Sequence, residues 1–254
     1  MSANAETVAA AALVRPPKSL LRPVGRAIAE YGMIREGDRV LLGLSGGKDS
    51  LSLLHILAHL QRHAPVRFKL GVVTVDPMSD AFDPSPLKDY VPQLGLPYLF
   101  ERQPILELGK QHIDNDSYCS WCARMRRGVM YTTARREGYN VLALAQHLDD
   151  FAESFLMAAF NGGQLRTMKA NYTVREGDLR VIRPLVFARE RQLADFARSA
   201  KLPVIMENCP ACFNMPTERA HMKQLLAKEE THNGQLFASL LTALRPLIAR
   251  DSAE

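Results

Sequence analysis

The sequence predicts an α/β protein built on a Rossmann-like, doubly wound parallel sheet, with added helices at the C-terminal end. Three observations carry that expectation. Short apolar runs bounded by glycine or polar residues alternate with segments of helical period, the pattern of strands joined by crossover helices. The first such run, Val40-Leu41-Leu42-Gly43-Leu44, passes directly into Ser45-Gly46-Gly47-Lys48-Asp49-Ser50 and then into a helix. The chain has 254 residues and 47% apolar content, enough for one or two domains with a substantial core.

The elements follow in order. Residues 1–18 read as a flexible tail ahead of one domain over 19–254. The tail's apolar stretch "TVAAAALV" is preceded by Glu6 and lacks the basic start of a secretory leader. A helix covers roughly 20–32. The strand at 39–44 is apolar along its length, as a strand buried on both faces of a parallel sheet should be. From Asp49 onward Leu51, Leu53, Leu54, Ile56 and Leu57 recur at helical spacing. A strand at 69–75 leads into the Pro-rich "DPMSDAFDPSP" and a short helix ending before Gly95. "LPYLFE" is a third strand, 123–138 a helix, 140–146 a fourth strand and 148–160 a helix. "YTVREGDLRVIRPL" reads as a hairpin turning at Glu176-Gly177-Asp178. Helices near 188–200 and over 217–248 close the chain. No apolar run approaches the ~18–20 residues of a membrane span, so no membrane partner and a cytoplasmic location are expected. A net charge of +5 permits a polyanionic partner.

The Ser45–Ser50 stretch is chemically specific. Gly46 and Gly47 allow backbone angles and close approach that a side chain forbids. The first N–H groups of the following helix lack intrahelical partners and carry the positive end of its dipole. Together they make a phosphate cradle. A Walker A loop does not fit, because position 42 is Leu rather than Gly and Lys48 is followed by Asp49 rather than a hydroxyl residue. The dinucleotide fingerprint Gly-x-Gly-x-x-Gly is absent here too. The plain alternative is a tight turn with a serine cap, which would not require a strand before it and a helix after it.

"SGGKDS" resembles the PP-loop of the ATP pyrophosphatases, proteins of the adenine nucleotide alpha hydrolase-like type that bind the pyrophosphate of ATP and activate a carbonyl oxygen by adenylylation. Two further stretches fit that layout. "VVTVDP" ends a strand in Thr74 and Asp76, where the resemblance implies the adenosine. "VLALAQHLDDFAES" resembles the family's His-x-Asp-Asp-x-x-Glu-Ser/Thr segment, with Ala145-Gln146-His147 where the family often has Gly-His-His. The resemblance implies that Ser45, Gly46, Gly47, Lys48, Asp49, Ser50, Thr74, Asp76 and Asp149 bind ATP, and that Lys48, Asp49 and Asp150 act in catalysis. Lys48 and the loop N–H groups would stabilise charge on the phosphates. Asp49 and Asp150 suit magnesium, a hard cation that prefers carboxylate and phosphate oxygens. Asp149 and Asp150 also fit the simpler role of carboxylates at a helix N-terminus.

All four cysteines fall in two Cys-x-x-Cys pairs, "CSWC" at 119–122 and "CPAC" at 209–212. Inert buried thiols would rarely sort that way, and structural disulfides are not expected without a secretory leader. A redox dithiol, a tetrahedral zinc site and an iron–sulfur cluster all remain open on spacing alone.

A PP-loop with Cys119-x-x-Cys122 ahead of the Asp149-Asp150 segment and a later cysteine pair closely resembles the tRNA 2-thiocytidine synthetase family. The resemblance covers roughly 30–225 and includes "CSWCARMRRG", "NGG" at 161–163 and "IRPLVFARERQL" at 182–193. It implies ATP-dependent thiolation of a cytidine in the tRNA anticodon loop, at position 32. It also implies a 4Fe-4S cluster on Cys119, Cys122 and Cys212, with Cys209 as the alternative third ligand and one open iron carrying the donor sulfur. The implied partners are tRNA and a sulfur donor of the cysteine-desulfurase type, and a homodimer is compatible with the pattern.

For RNA contact the sequence offers Arg124, Arg126 and Arg127 directly after Cys122, then Arg135, Arg136, Arg166 and Lys169. Tyr131, Tyr172 and Phe213 are the aromatics suited to stacking a splayed base. The charged amphipathic helix at 218–230 reads as structural or as an interface rather than catalytic, and His147 as a satisfied strand-end histidine as readily as a catalytic group. Two rivals stand beside this reading: a PP-loop enzyme making thiouridine or lysidine, and a nucleotide- and metal-binding protein without turnover that associates with RNA or senses redox state. The lysidine enzymes have no use for paired cysteines.

Overall fold

A computed structural model describes residues 12–79, 82–112, 118–205 and 217–249. Among the described residues six strands form one sheet: β1 (Arg39–Gly43), β2 (Lys69–Asp76), β3 (Tyr98–Arg102), β4 (Val141–Ala143), β5 (Asn171–Thr173) and β6 (Arg180–Ile182). Their spatial order is β3-β2-β1-β4-β6-β5, parallel except for the β5–β6 hairpin at the edge. The hairpin turns where the sequence predicts it, with Gly177 at φ +79°. The chain builds outward from β1 through β2 to β3, then returns to the other side of β1 as β4. The sheet therefore switches direction between β1 and β4, and a crevice opens there at the strands' C-terminal ends.

The helices cover both faces. They are α1 (Lys18–Glu30), α2 (Lys48–His63), α3 (Ser85–Gln93), α4 (Ile105–His112), α5 (Tyr118–Arg136), α6 (Leu148–Gly162), α7 (Glu190–Ser199), α8 (Glu218–His232) and α9 (Leu236–Ile248). The strand pleat sorts the core. Val40, Leu42, Val141 and Ala143 join a large cluster with Leu51, Leu54, Phe151 and Phe196 from α2, α6 and α7. Leu41, Leu142 and Leu144 point the other way, into a smaller cluster with Ala134, Met130 and Tyr131 of α5. Gly71 of β2 is needed on that side, since a Cβ there would collide with the Tyr139 ring.

Several bounds differ from the sequence reading. The helix expected over 123–138 begins at Tyr118, so positions 119 and 122 both lie on α5. The strand expected over 140–146 leaves the ladder after Ala143, although the Leu144 N–H still donates to the Ile182 carbonyl at 2.9 Å. Helix α4 lies in a stretch that carries no clear periodicity in the sequence. The segment 217–248 is two helices, because Asn233-Gly234 interrupts it after a start capped by the Thr217 hydroxyl on the Ala220 N–H. Ahead of α1, the Val14 N–H donates to Nδ1 of buried His55.

Candidate active site

The Ser45–Ser50 loop is tied by its own hydroxyls. The Ser45 N–H donates to Ser50 Oγ at 3.2 Å, the two hydroxyls lie 3.0 Å apart, and Ser50 Oγ donates to the Gly47 carbonyl at 3.0 Å. Gly46 sits at φ +89°, a left-handed angle that a side chain would strain. A Cβ there would also press on Ile205, whose N–H donates to the Gly46 carbonyl. Helix α2 starts at Lys48, so its free N–H groups open into the loop.

Across the switch point, β4 delivers His147 and the start of α6. His147 caps that helix: its N–H donates to Asp150 Oδ2 at 3.0 Å, and the Asp150 N–H donates to His147 Nδ1 at 3.4 Å. His147 Nε2 stands 3.8 Å from Asp49 Oδ2 and 3.5 Å from Asp150 Oδ2. Asp49 of the glycine loop and the Asp149-Asp150 pair, read from separate motifs, thus share one site around His147. Burial works against a charged His147, yet Asp149, Asp150 and Asp49 outweigh it and raise its pKa. Burial raises Asp49, only partly offset by His147 and Lys48. Asp149 is also buried, but His147, Arg189 and the Glu190 N–H hold it well below the usual carboxylate range. Glu153, one helical turn on, is pushed up to about 7 by burial and by Asp150.

The rest of the site comes from helices whose part the sequence did not reveal. Lys48 Nζ donates to Glu190 Oε1 at 2.9 Å and to Asp49 Oδ2 at 3.1 Å. Despite the cost of burial, these contacts raise its pKa. Glu190, the first residue of α7, also accepts from Lys223 of α8. Arg189 Nε donates to both oxygens of Asp149 at 3.1 and 3.2 Å, while its two terminal nitrogens grip Glu230 of α8 at 2.7 and 2.9 Å. Its guanidinium lies 3.2 Å over the Phe237 ring. Arg219 of α8 reaches Asp150 at 3.0 Å and Glu153 at 3.6 Å. Helix α8, open to a purely structural role from its sequence, brings Arg219, Lys223 and Glu230 to the site at intervals of about one and two helical turns, and that spacing on one face is the signal the sequence offers. A cavity of about 240 Å³ opens among Lys48, Glu153, Arg189, Glu190 and Lys223, with Leu226 and Phe237 as its apolar wall.

Other residues singled out from the sequence lie at or beyond the rim. Thr74 is buried and its hydroxyl donates to the Leu44 carbonyl at 3.0 Å, bracing β2 against the loop strand. Asp76 accepts from the Met78 N–H at 2.8 Å and faces Arg102 at 3.5 Å. Cys122 is half-buried on α5. The side chain of Cys119, and residues Cys209, Cys212 and Phe213, lie outside the described residues. Tyr131 and Tyr172 meet through their hydroxyls at 3.0 Å.

The donor set can be tested against magnesium. Among the described residues no group of three or more His, Cys, Asp or Glu side chains forms a ready-made metal site. Magnesium seldom asks for one, since it usually bridges one or two carboxylates to substrate phosphates. Asp49 Oδ1 fits that use: it is buried and has no hydrogen-bond partner among the described residues.

The PP-loop domain family model matches residues 19–229. A tRNA-cytidine(32) 2-sulfurtransferase from Geobacter sulfurreducens is 41% identical over 228 residues, 89% of each chain. Its namesake from Citrifermentans bemidjiense is 40% identical over 222 residues, 87% of each chain. Among solved structures, the U34-tRNA thiolase NcsA from Methanococcus maripaludis, determined with its 4Fe-4S cluster, matches with a TM-score of 0.75 at 20% identity. The match covers 93% of this chain and 79% of that one, a likeness of fold.

Proposed function

Because the chain belongs to the PP-loop family, and within it to that of the tRNA-cytidine(32) 2-sulfurtransferases, we propose that it is an ATP-dependent tRNA sulfurtransferase that replaces the C2 oxygen of cytidine 32 with sulfur. The observation that carries this reading is the meeting of Lys48 and Asp49 with Asp149 and Asp150 across the switch point of the sheet.

The residues divide the work. The loop N–H groups from Ser45 to Ser50 and the Lys48 ammonium hold the β- and γ-phosphates, so that Lys48 exchanges its protein carboxylates for phosphate oxygens when ATP enters. Asp49 and Asp150 would hold magnesium, which neutralises charge on the phosphates. The C2 oxygen of the base attacks the α-phosphorus; a C–O–P bond forms as the bond to pyrophosphate breaks. Thr74 and Asp76 line the adenosine side, and Asp149 keeps Arg189 and the start of α7 in place. Cys119, Cys122 and Cys212 would hold a 4Fe-4S cluster, thiolate donors being what iron–sulfur chemistry needs; when bound it supplies the sulfur that takes the place of the departing AMP oxygen. tRNA is then the macromolecular partner, a cysteine-desulfurase-type protein the sulfur source and the cytoplasm the location.

The test is a reaction of anaerobically reconstituted protein with tRNA, ATP, magnesium and a sulfide source. Pyrophosphate release and 2-thiocytidine at position 32, read by nucleoside mass analysis, are expected together. A thiouridine in its place, or no pyrophosphate, overturns the proposal.

A further inference from the structure

We propose that Gln146 selects the target base, donating its side-chain N–H to N3 of cytosine while the buried Arg183 holds the amide in that orientation. The inference rests on the cytidine-thiolating reading above and deepens it.

The strand pleat places the residue. Leu142 and Leu144 pack into the cluster beneath α5, whereas Val141, Ala143 and Ala145 pack on the α2 and α6 side. Alternation carried two residues further sends Gln146 to the α5 side and His147 to the loop side. Their contacts agree: His147 meets Asp49 and Asp150, and Gln146 meets Arg183 at the end of β6. Consecutive residues at the mouth of the crevice thus face the nucleotide loop and the helix carrying Cys122. The reacting C2 must lie between those two regions.

Arg183 settles which way the amide points. It is 4% exposed, and its Nε donates to Gln146 Oε1 at 3.0 Å. Its Nη1 donates to the Lys169 carbonyl, and its guanidinium stands 5.4 Å from the Tyr172 ring. An arginine has only donors to offer, so the oxygen of Gln146 must face it and the NH₂ must face away. Gln146 is half-buried, which leaves that NH₂ able to meet a ligand at the strand ends.

A fixed donor at this point discriminates between pyrimidines. Cytosine and uracil share the C2 oxygen, but N3 is an acceptor in cytosine and an N–H donor in uracil. Uracil would set N–H against N–H and leave two donors unsatisfied, the kind of mismatch a hydrogen-bonding site rejects strongly.

The experiment compares anticodon stem-loop transcripts carrying C32 or U32, using wild-type protein, Gln146→Glu and Gln146→Ala. The Glu variant keeps an acceptor for Arg183 and so preserves the local fold, but has no donor for N3. We expect its kcat/KM on the C32 transcript to fall about 100-fold, with ATP affinity unchanged, and the Ala variant to lose most of its C32-over-U32 preference. Undiminished C32 thiolation by Gln146→Glu, or undiminished preference in Gln146→Ala, overturns the assignment while leaving the function intact. A wild-type protein that thiolates neither transcript overturns the function itself and this inference with it.

Discussion

The two sides of the β4 exit are built from opposite materials. On the loop side Lys48, Arg189, Arg219 and Lys223 interlock with Asp49, Asp149, Asp150, Glu190 and Glu230, and almost every charge has a counter-charge within hydrogen-bonding reach. On the α5 side Arg183 rests among neutral acceptors and aromatic rings, next to the Tyr131–Tyr172 hydroxyl pair and the aliphatic cluster of Leu41, Leu142 and Leu144. The difference matches what each side would handle under the proposed function. Under the proposed function, phosphates need dense, preorganised cations, and the protein carboxylates would hold those cations in place until ATP enters. A neutral base needs fixed hydrogen bonds and a shaped apolar wall.

The largest effects should separate the two sides cleanly. Lys48→Ala is expected to cut pyrophosphate release by about 10³-fold while leaving iron content unchanged. Cys122→Ala or Cys212→Ala should lose iron and thiolation but bind ATP normally, and Cys209→Ala should keep both iron and activity. Iron analysis after anaerobic purification, with equilibrium ATP binding, reads all four variants. Stoichiometric zinc without iron would remove the cluster from the account. Loss of iron in Cys209→Ala but not in Cys212→Ala would exchange the third ligand.

Next in size is Arg189→Ala. Arg189 is 13% exposed and is shared by Asp149 and Glu230, so its removal takes the nearest cation from both carboxylates and leaves only His147 beside Asp149 and Arg191 beside Glu230. Breaking a buried pair of this kind costs about 3–5 kcal/mol. Tyr131→Phe, across the strand, removes one neutral hydrogen bond and should cost only about 1 kcal/mol. Denaturant midpoints for the two variants compare the sides directly, and equal losses would erase the distinction between them.

The same asymmetry explains what could be read from the sequence. The strand, the glycine loop and the Asp149-Asp150 cap were legible because each is local: a few adjacent residues determine both the conformation and the chemistry. Arg189 with Glu230, and Glu190 with Lys48 and Lys223, were not, since those pairs join separate elements that only the tertiary fold brings together. The sequence places the start of α5 at 123, because Cys-x-x-Cys carries no helical signature, yet the motif sits on the helix's first turns. Gln146 stood out only as a departure from Gly-His-His, and its partner Arg183 is on another strand.

Acidity offers a finer probe of the loop side. Glu153 holds its proton up to about pH 7, while a free glutamate releases it near 4.5. Between those values the folded chain binds more protons than the unfolded one, so this group's contribution to stability falls as pH rises from about 4.5 to 7. His147, whose pKa is also raised, contributes in the same direction: its stabilisation is complete below 6.5 and is lost as pH rises through its folded value. Asp149 runs opposite, losing its contribution as pH falls below 3.8 toward its depressed value. Glu153→Gln should therefore flatten the stability profile between pH 5 and 8 and raise stability at pH 8 by about 1–3 kcal/mol. A profile unchanged by the substitution would mean that Glu153 ionises freely in the cleft.

The smallest effect concerns the two ends of α5, which differ in how their arginines are committed. Near its C-terminus Arg135 is bound by Asp178 and Glu176 of the hairpin, and Arg136 by Glu101 of β3 and by Glu137. Nearer the cysteines, Arg127 lies close enough to Tyr131 and Arg183 to act on both electrostatically. Arginines already neutralised by carboxylates release few counterions when RNA arrives, so they should contribute little to its salt dependence. Arg135→Ala and Arg136→Ala are accordingly expected to leave tRNA affinity and its salt slope unchanged, and exposed pairs of this kind add little to stability. Arg127→Ala should reduce the slope by about one unit, the signature of a lost phosphate contact. Fluorescence anisotropy with labelled tRNA across a salt series measures both. A slope that drops for Arg135 and stays constant for Arg127 would move the RNA track to the far end of α5, away from Gln146 and from the crevice.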